Sequence, residues 1–323
     1  MQTPEARQLA PASPEHYPPR PEEHKSWPAW FHDQDSSLQC LCVATSVVAV
    51  LLLVNSQLLT LAVFLVALVV AALCSKYVTR KYSDHVTLRA YYKCALTGLL
   101  TALVALVAEF LVVMSIEIFP DPSLATPVAF IAVASLVETF LITALFEEAS
   151  KVIAMRMVVS GEAEPSTSFI LASAAASSLT LATVENVAHM SYRLVHRNAV
   201  VNWVVFFIRP VLSVPIHICW GLTNGANFAV RRRTRQLLRR SVVLEMLPSI
   251  FLHGLWGFPF LLSYKSEHAI AKLGTWSAEE LPAEYAAGTW IALVCLFLVP
   301  VMSFILCWRS TRLAHDIEES NPA

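Results

Sequence analysis

The chain has 323 residues, of which 56% are hydrophobic and only 15% are charged. Soluble domains carry about 25% charged residues, so this composition indicates a membrane protein. A formal net charge of −1 excludes the strongly basic surface that nucleic-acid binding requires. The seven cysteines include no CxxC pair, which argues against a zinc ribbon or a disulfide framework.

The order of polar and apolar stretches divides the chain into three parts. Residues 1–39 are polar and rich in proline and lack the early apolar core of a signal peptide, so they predict a disordered cytosolic tail. Residues 40–309 predict a polytopic membrane domain, and residues 310–323 predict a cytosolic C-terminal tail.

Apolar windows of about 20 residues predict an all-α membrane protein with about eight transmembrane helices. The predicted helices cover residues 41–54, 58–74, 94–119, a fourth stretch ending near 159, then 168–190, 201–230, 242–263 and 286–308. The fifth helix is dominated by Ala, Ser and Thr. Because small residues allow helices to approach closely, this helix is predicted to lie at the centre of the bundle.

Basic residues predict the orientation of these helices. With both termini in the cytosol, 18 of the 23 Lys and Arg residues fall in cytosolic segments. This bias follows the positive-inside rule, so both termini are predicted to be cytosolic in a multi-pass integral membrane protein. The Arg-rich stretch 231–240 is accordingly interpreted as a topology signal rather than as a patch for nucleic acid or acidic lipid.

Three ionisable residues lie within the apolar fourth helix, as Glu147-Glu148-x-x-Lys151. A charged side chain at the bilayer centre costs at least ~2.5 kcal/mol, so this group requires a role. The spacings of three and four residues place all three side chains on one helical face, where they partly neutralise each other. Taken alone, the motif fits an ion pair that holds helices together as well as it fits a functional site.

Polar residues also lie in each of the next three predicted helices. They are Glu185-Asn186 in the fifth, His217 in the sixth and His253 in the seventh. Each alone would more often be a hydrogen-bonding residue between helices, but together they place one polar group on each of four consecutive helices. Glu109 and Glu138, also in apolar stretches, are assigned to structure or to a water-filled cavity.

Carboxylates and histidines gathered in one place can activate water, with Glu as general base and His stabilising an oxyanion or moving a proton. The same side chains can bind Zn²⁺ and leave a ligand position for water. No HExxH helix is present, so a metal would have to be bound by residues from separate helices. No cofactor is obligatory from the residues alone.

The depth of the fourth helix constrains this hypothesis. For Glu147 to meet His253, the embedded part of the helix must begin near Glu138. Residues 123–137 would then form a separate outer segment or an extension of the helix beyond the bilayer.

These ordered motifs resemble those of the PrsW family of intramembrane proteases, a family similar to the CAAX prenyl endopeptidases. The resemblance covers residues 140–258 and rests on Glu147-Glu148-x-x-Lys151, Glu185-Asn186, the helix of His217 and His253-Gly254-x-Trp256. It implies an intramembrane endopeptidase acting on a membrane protein or a lipid-anchored peptide in the bilayer. Gly257 departs from the family pattern, which commonly has a polar residue there.

The resemblance also implies roles for individual residues. Glu147 would be the general base, assisted by Glu148 and positioned by Lys151. His217 and His253 would stabilise the oxyanion or, together with Glu147, bind a metal such as Zn²⁺. Glu185 and Asn186 would support the site as a polar wall.

Two other functions use the same residues. A proton- or ion-coupled transporter or channel would carry its buried Glu and His at mid-membrane. A catalytically inactive relative could serve as a membrane scaffold, an alternative that Gly257 keeps open.

Overall fold

The computed structural model describes residues 58–82, 88–117, 128–162, 164–193, 199–234, 242–273 and 283–320. The predicted tail 1–39 and the predicted first span 41–54 lie outside the described residues.

The described residues form helices joined by turns, which confirms the predicted all-α fold. In chain order they are α1 (Leu58–Lys81), α2 (Leu88–Glu117), α3 (Val128–Leu136), a π-helical segment (Val137–Thr143), α4 (Ala144–Val159), α5 (Thr167–Arg193), α6 (Ala199–Arg233), α7 (Val242–Leu273) and α8 (Ala283–Ser320). Most helices extend several residues beyond the apolar windows that predicted them.

Four segments of the described chain are long and apolar enough to cross a membrane. They are Ala90–Val113, Thr167–Asn186, Val242–Pro259 and Val294–Ser320. Their outward faces carry large exposed apolar side chains, such as Val104 and Phe110 on α2 and Phe297 and Phe304 on α8. The chain is therefore an integral membrane protein, and the count of eight spans stays a prediction.

Helix α5 lies at the centre of the bundle, as its small residues predicted. Of its apolar segment 83% is buried, whereas the corresponding segment of α2 is 22% buried. A Cβ at Gly98 of α2 would lie 3.0 Å from the Cα of Ser177, and a Cβ at Gly221 of α6 would lie 1.8 Å from the Oγ of Ser178. Glycine is thus required on both neighbours of α5 because their backbones approach it so closely.

The helix that carries Glu147 is continuous from residue 128 to residue 159 and changes to π-helical geometry over Val137–Thr143. Residues 128–137 are therefore not a separate outer segment, and of the two arrangements considered the structure agrees with a helical extension. The wider π turn inserts an extra residue without breaking the helix, and such turns occur frequently at functional sites.

Two polar clusters join the helix ends at one end of the bundle, which we call the basic end. In the first, Glu245 at the start of α7 accepts a hydrogen bond from Arg231 at 2.7 Å and lies 3.7 Å from Arg156. In the second, Glu318 of α8 accepts hydrogen bonds from Arg233 at 2.7 Å and from the backbone N–H of Thr167 at 3.0 Å. The last turns of α8 are therefore bonded to the start of α5 and the end of α6.

Candidate active site

Helix α4 begins just before the site and turns three ionisable side chains into the protein. Glu147, Glu148 and Lys151 are each at most 2% exposed. Lys151 pairs with Glu148, with Nζ 2.5 Å from Oε1, and its ammonium lies 5.2 Å from the centre of the Trp220 ring. The predicted ion pair therefore exists, but it joins two residues of one helix and leaves Glu147 outside it.

Both carboxylate oxygens of Glu148 are occupied. Oε1 accepts from Lys151 and lies 3.0 Å from Nδ1 of His253, and Oε2 accepts a hydrogen bond from Nδ2 of Asn224 at 2.9 Å. Asn224 is held in turn by Ser249, whose hydroxyl donates to its Oδ1 at 2.9 Å. Glu148 thus connects α4, α6 and α7 through contacts at both of its carboxylate oxygens.

The ring of His253 is fixed on two sides. An ionised carboxylate only accepts hydrogen bonds, so Nδ1 must donate to Glu148, which leaves Nε2 as the lone-pair nitrogen. That Nε2 lies 3.5 Å from Oε2 of Glu147. Trp220 stacks on the His253 ring at a centroid distance of 4.5 Å and an angle of 20°, and donates its own N–H to Ser303 of α8 at 2.9 Å.

His217 approaches from α6, where it is completely buried. Its Nε2 lies 3.1 Å from Oε2 of Glu185 on α5, and its ring centre lies 4.9 Å from that of His253. Its Nδ1 has no hydrogen-bond partner among the described residues. Glu185 therefore lies beside Nε2 of His217, whereas Glu148 contacts the other ring nitrogen, Nδ1, of His253.

Glu147, His217 and His253 form the centre of the site, because each offers a ligand atom within 4.8 Å of the other two. Oε2 of Glu147 is buried and accepts no hydrogen bond among the described residues. Two imidazoles and a carboxylate are the donor set of catalytic zinc sites, which leave a further position for water. Each imidazole also contacts a second carboxylate, as metal-binding histidines usually do. The residues present therefore fit a divalent metal such as Zn²⁺.

Asn186, the remaining predicted site residue, forms no hydrogen bond with this centre among the described residues. It is buried, but its side-chain amide makes no hydrogen bond among the described residues. Adjacent residues of an α-helix point about 100° apart, so Asn186 lies on a different face of α5 from Glu185.

The sequence interpretation missed the residues that support the centre. They are Asn224, Ser249, Trp220 and Ser303. Their helical spacing was a usable signal, since Trp220 and Asn224 follow His217 by three and seven residues and share its face. Ser249 precedes His253 by four residues in the same way.

The structure also explains Gly257, which departs from the family pattern. A Cβ at this position would lie 2.7 Å from Cγ2 of Thr139 in the π-helical segment. The position is thus filled by a side chain of the neighbouring helix, and the departure follows from packing between helices.

The fold and the site define a helical membrane protein with a buried Glu/His/His centre. The chain matches the PrsW family of intramembrane metalloproteases over residues 87–302, two thirds of its length, and belongs to that family. Curated proteins and solved structures give no match to it. The family match confirms the resemblance seen in the motifs and does not favour a transporter or channel.

Proposed function

We propose that the protein is a metal-dependent intramembrane endopeptidase that hydrolyses a peptide bond of a membrane protein or a lipid-anchored peptide. The observation that carries this proposal is the convergence of Glu147, His217 and His253 from three helices, with Oε2 of Glu147 free of any other partner in the described part of the chain.

His217, His253 and one oxygen of Glu147 would hold the ion, for which Zn²⁺ suits the donor set. A bound divalent metal would polarise the scissile carbonyl and acidify a water molecule. The second oxygen of Glu147 accepts the proton of the attacking water and returns it to the leaving amine. The hydroxyl adds to the carbonyl carbon, the C–N bond breaks, and one acid and one amine are formed.

The other polar residues position these groups. Glu148 holds the Nδ1–H of His253, and Lys151 keeps Glu148 ionised and fixed. Glu185 orients His217 through the contact at its Nε2. Such supporting contacts typically account for 10- to 100-fold in metal affinity or activity, about 1.4 to 2.7 kcal/mol.

The test uses Glu147→Gln, which retains the shape of the side chain and removes the proton acceptor. In cells expressing the wild-type chain, new protein N-termini should appear in the membrane fraction by N-terminal mass spectrometry. The variant should lower their yield by about 10²-fold or more, since a general base contributes about that much. Glu162→Gln, an exposed glutamate beyond α4, is the matched control.

Metal content is measured on the same purified proteins. The wild-type chain should carry about one zinc ion per molecule, and His217→Ala and His253→Ala should lose it. Cleavage that persists in Glu147→Gln would overturn the assignment of the base. Cleavage by protein stripped of metal would overturn the metal-dependent mechanism. A folded wild-type chain that generates no new N-termini would favour the scaffold alternative.

A further inference from the structure

Glu109 of α2 is a buried acid with no part in the proposed mechanism. It is 9% exposed, and its Oε1 has no hydrogen-bond partner among the described residues. It ends a stripe of buried residues that repeats every three or four positions along α2. The stripe consists of Tyr91, Cys94, Gly98, Ala102, Ala105 and Glu109. Glu109 therefore faces the interior of the bundle and not the lipid.

The register between α2 and α5 places Glu109 near the active site. Cys94 donates its thiol hydrogen to the carbonyl of Ser173, 79 residues later, and Gly98 packs on Ser177 with the same offset. The two helices therefore run parallel and in step. The same offset places Glu109 about one turn beyond Glu185.

Ser213 lies at the same level on α6. It is completely buried, and its hydroxyl has no hydrogen-bond partner among the described residues. It precedes His217 by one helical turn, so both side chains share a face. Helix α6 runs antiparallel to α5, because Gly221 meets Ser178 whereas Gly225 meets Ala174. Ser213 is thus displaced from His217 in the direction of Glu109, away from the basic end.

Polar groups in a buried position cost several kcal/mol unless they are hydrogen-bonded. Water can donate to a carboxylate and also bond a hydroxyl, and buried waters typically satisfy groups of this kind. A hydrolase within a membrane also consumes one water molecule in each turnover.

We propose that Glu109 and Ser213, together with Glu185, line a water path that leads from the end of the bundle opposite the basic end to Glu147 and His217. The existence of this path does not depend on whether the protein is a protease. Its use as the supply of hydrolytic water rests on the proposed function.

Ser213→Cys tests the path without measuring proteolysis. The purified variant in liposomes is treated with a charged methanethiosulfonate reagent, and the modified cysteines are located by peptide mass spectrometry. Because only a hydrated thiol reacts quickly with this reagent, the thiol introduced at position 213 should be modified at least about 10-fold faster than native Cys94. Cys94 is an internal control, because it is fully buried and bonded to the carbonyl of Ser173. Equal protection at both positions in the folded protein would overturn the path.

Glu109 is then tested in the Ser213→Cys background. Glu109→Leu should slow modification at position 213 several-fold by replacing a water-binding group with an apolar one, and Glu109→Gln should leave it unchanged. Phe110→Leu, on the lipid-facing side of α2, is the matched control. Protected Cys94 reports that each variant is folded. Unchanged modification in Glu109→Leu would remove Glu109 from the path.

A measurement of proteolysis on the same variants distinguishes a failure of this inference from a failure of the proposed function. Fast modification at position 213 in a chain that cleaves nothing would support the path and contradict the protease. Cleavage by a chain that is protected at position 213 would support the protease and contradict the path.

Discussion

Glu147 and Glu148 are adjacent and equally buried, yet their surroundings give them different chemistry. Glu148 is bonded to Lys151, His253 and Asn224, whereas Oε2 of Glu147 accepts no hydrogen bond among the described residues and lies 3.5 Å from Nε2 of His253. The sequence predicted that both are buried, because apolar residues surround them. The sequence could not distinguish their roles, because Asn224 and His253, which bond Glu148, come from α6 and α7.

Asn224 is the residue at which the support of the site can be tested. Asn224→Ala would remove the donor to Oε2 of Glu148 and leave the hydroxyl of Ser249 with only the backbone carbonyl of Trp220, at a cost of about 1–3 kcal/mol in stability. His253 would be held less firmly by Glu148, so we expect zinc affinity and cleavage to fall about 10- to 100-fold.

Asn227→Ala is the matched control on the same helix, since Asn227 bonds the backbone carbonyl of Glu245 at the basic end. It should leave zinc affinity unchanged. Zinc titration and thermal unfolding in detergent measure both variants. An Asn224→Ala protein with wild-type zinc affinity would contradict the supporting role of Asn224.

At the scale of elements, the central place of α5 was predictable and the π-helical segment was not. A run of Ala, Ser and Thr is a local signal, since any helix of small residues favours close packing. The π turn over Val137–Thr143 packs instead against α7, which follows about 100 residues later in the sequence. Its Phe140 and Thr139 occupy the space over Gly254 and Gly257 of α7, and a single sequence does not show such pairing.

Gly254→Ala tests this packing. A Cβ at Gly254 would lie 2.4 Å from Cδ1 of Phe140, so either the ring or the helices must move. Overpacking of this kind costs about 1–3 kcal/mol, and it would displace His253, the adjacent residue. We expect a lower apparent melting temperature in detergent together with reduced cleavage.

Gly161→Ala is the control, because its nearest neighbour would be a carbonyl oxygen at 3.4 Å, an ordinary contact. Phe140→Ala should partly rescue Gly254→Ala by opening the space that the new methyl group needs. A double-mutant cycle with no coupling between positions 140 and 254 would show that this contact does not set the helix spacing.

At the scale of the whole molecule, local patterns in the sequence predicted the membrane class, the helical fold and the three residues that meet in the Glu/His/His centre. Prediction from hydropathy was least accurate at the ends of helices, where polar residues bond to distant parts of the chain. Hydropathy predicted that the last span ends at residue 308, whereas α8 continues to Ser320. The extension is stabilised by bonds of Glu318 to Thr167 and Arg233, which are 151 and 85 residues away in sequence.

Glu318 therefore connects three helices at the basic end, and its removal should loosen the bundle without touching the site. Glu318→Ala removes the acceptor of the Thr167 N–H at the start of α5 and the partner of Arg233 at the end of α6. Both charged groups are partly exposed, so solvent screening limits the loss to about 1 kcal/mol. For a chain of 323 residues that corresponds to a fall of roughly 1–2 °C in apparent melting temperature.

Glu319→Ala is the matched control for this change, because Glu319 is exposed and the substitution alters helix propensity and net charge equally. Part of the Glu318 contribution is an ion pair, so the difference between the two variants should shrink at 1 M salt, where the Debye length falls to about 3 Å. The rest of the difference in melting temperature should persist at high salt. It comes from the hydrogen bond that Glu318 accepts from the N–H of Thr167, and the first N–H groups of a helix have no acceptor within the helix itself. Equal melting temperatures for the two variants at low salt would show that the contacts of Glu318 with Thr167 and Arg233 do not stabilise the protein.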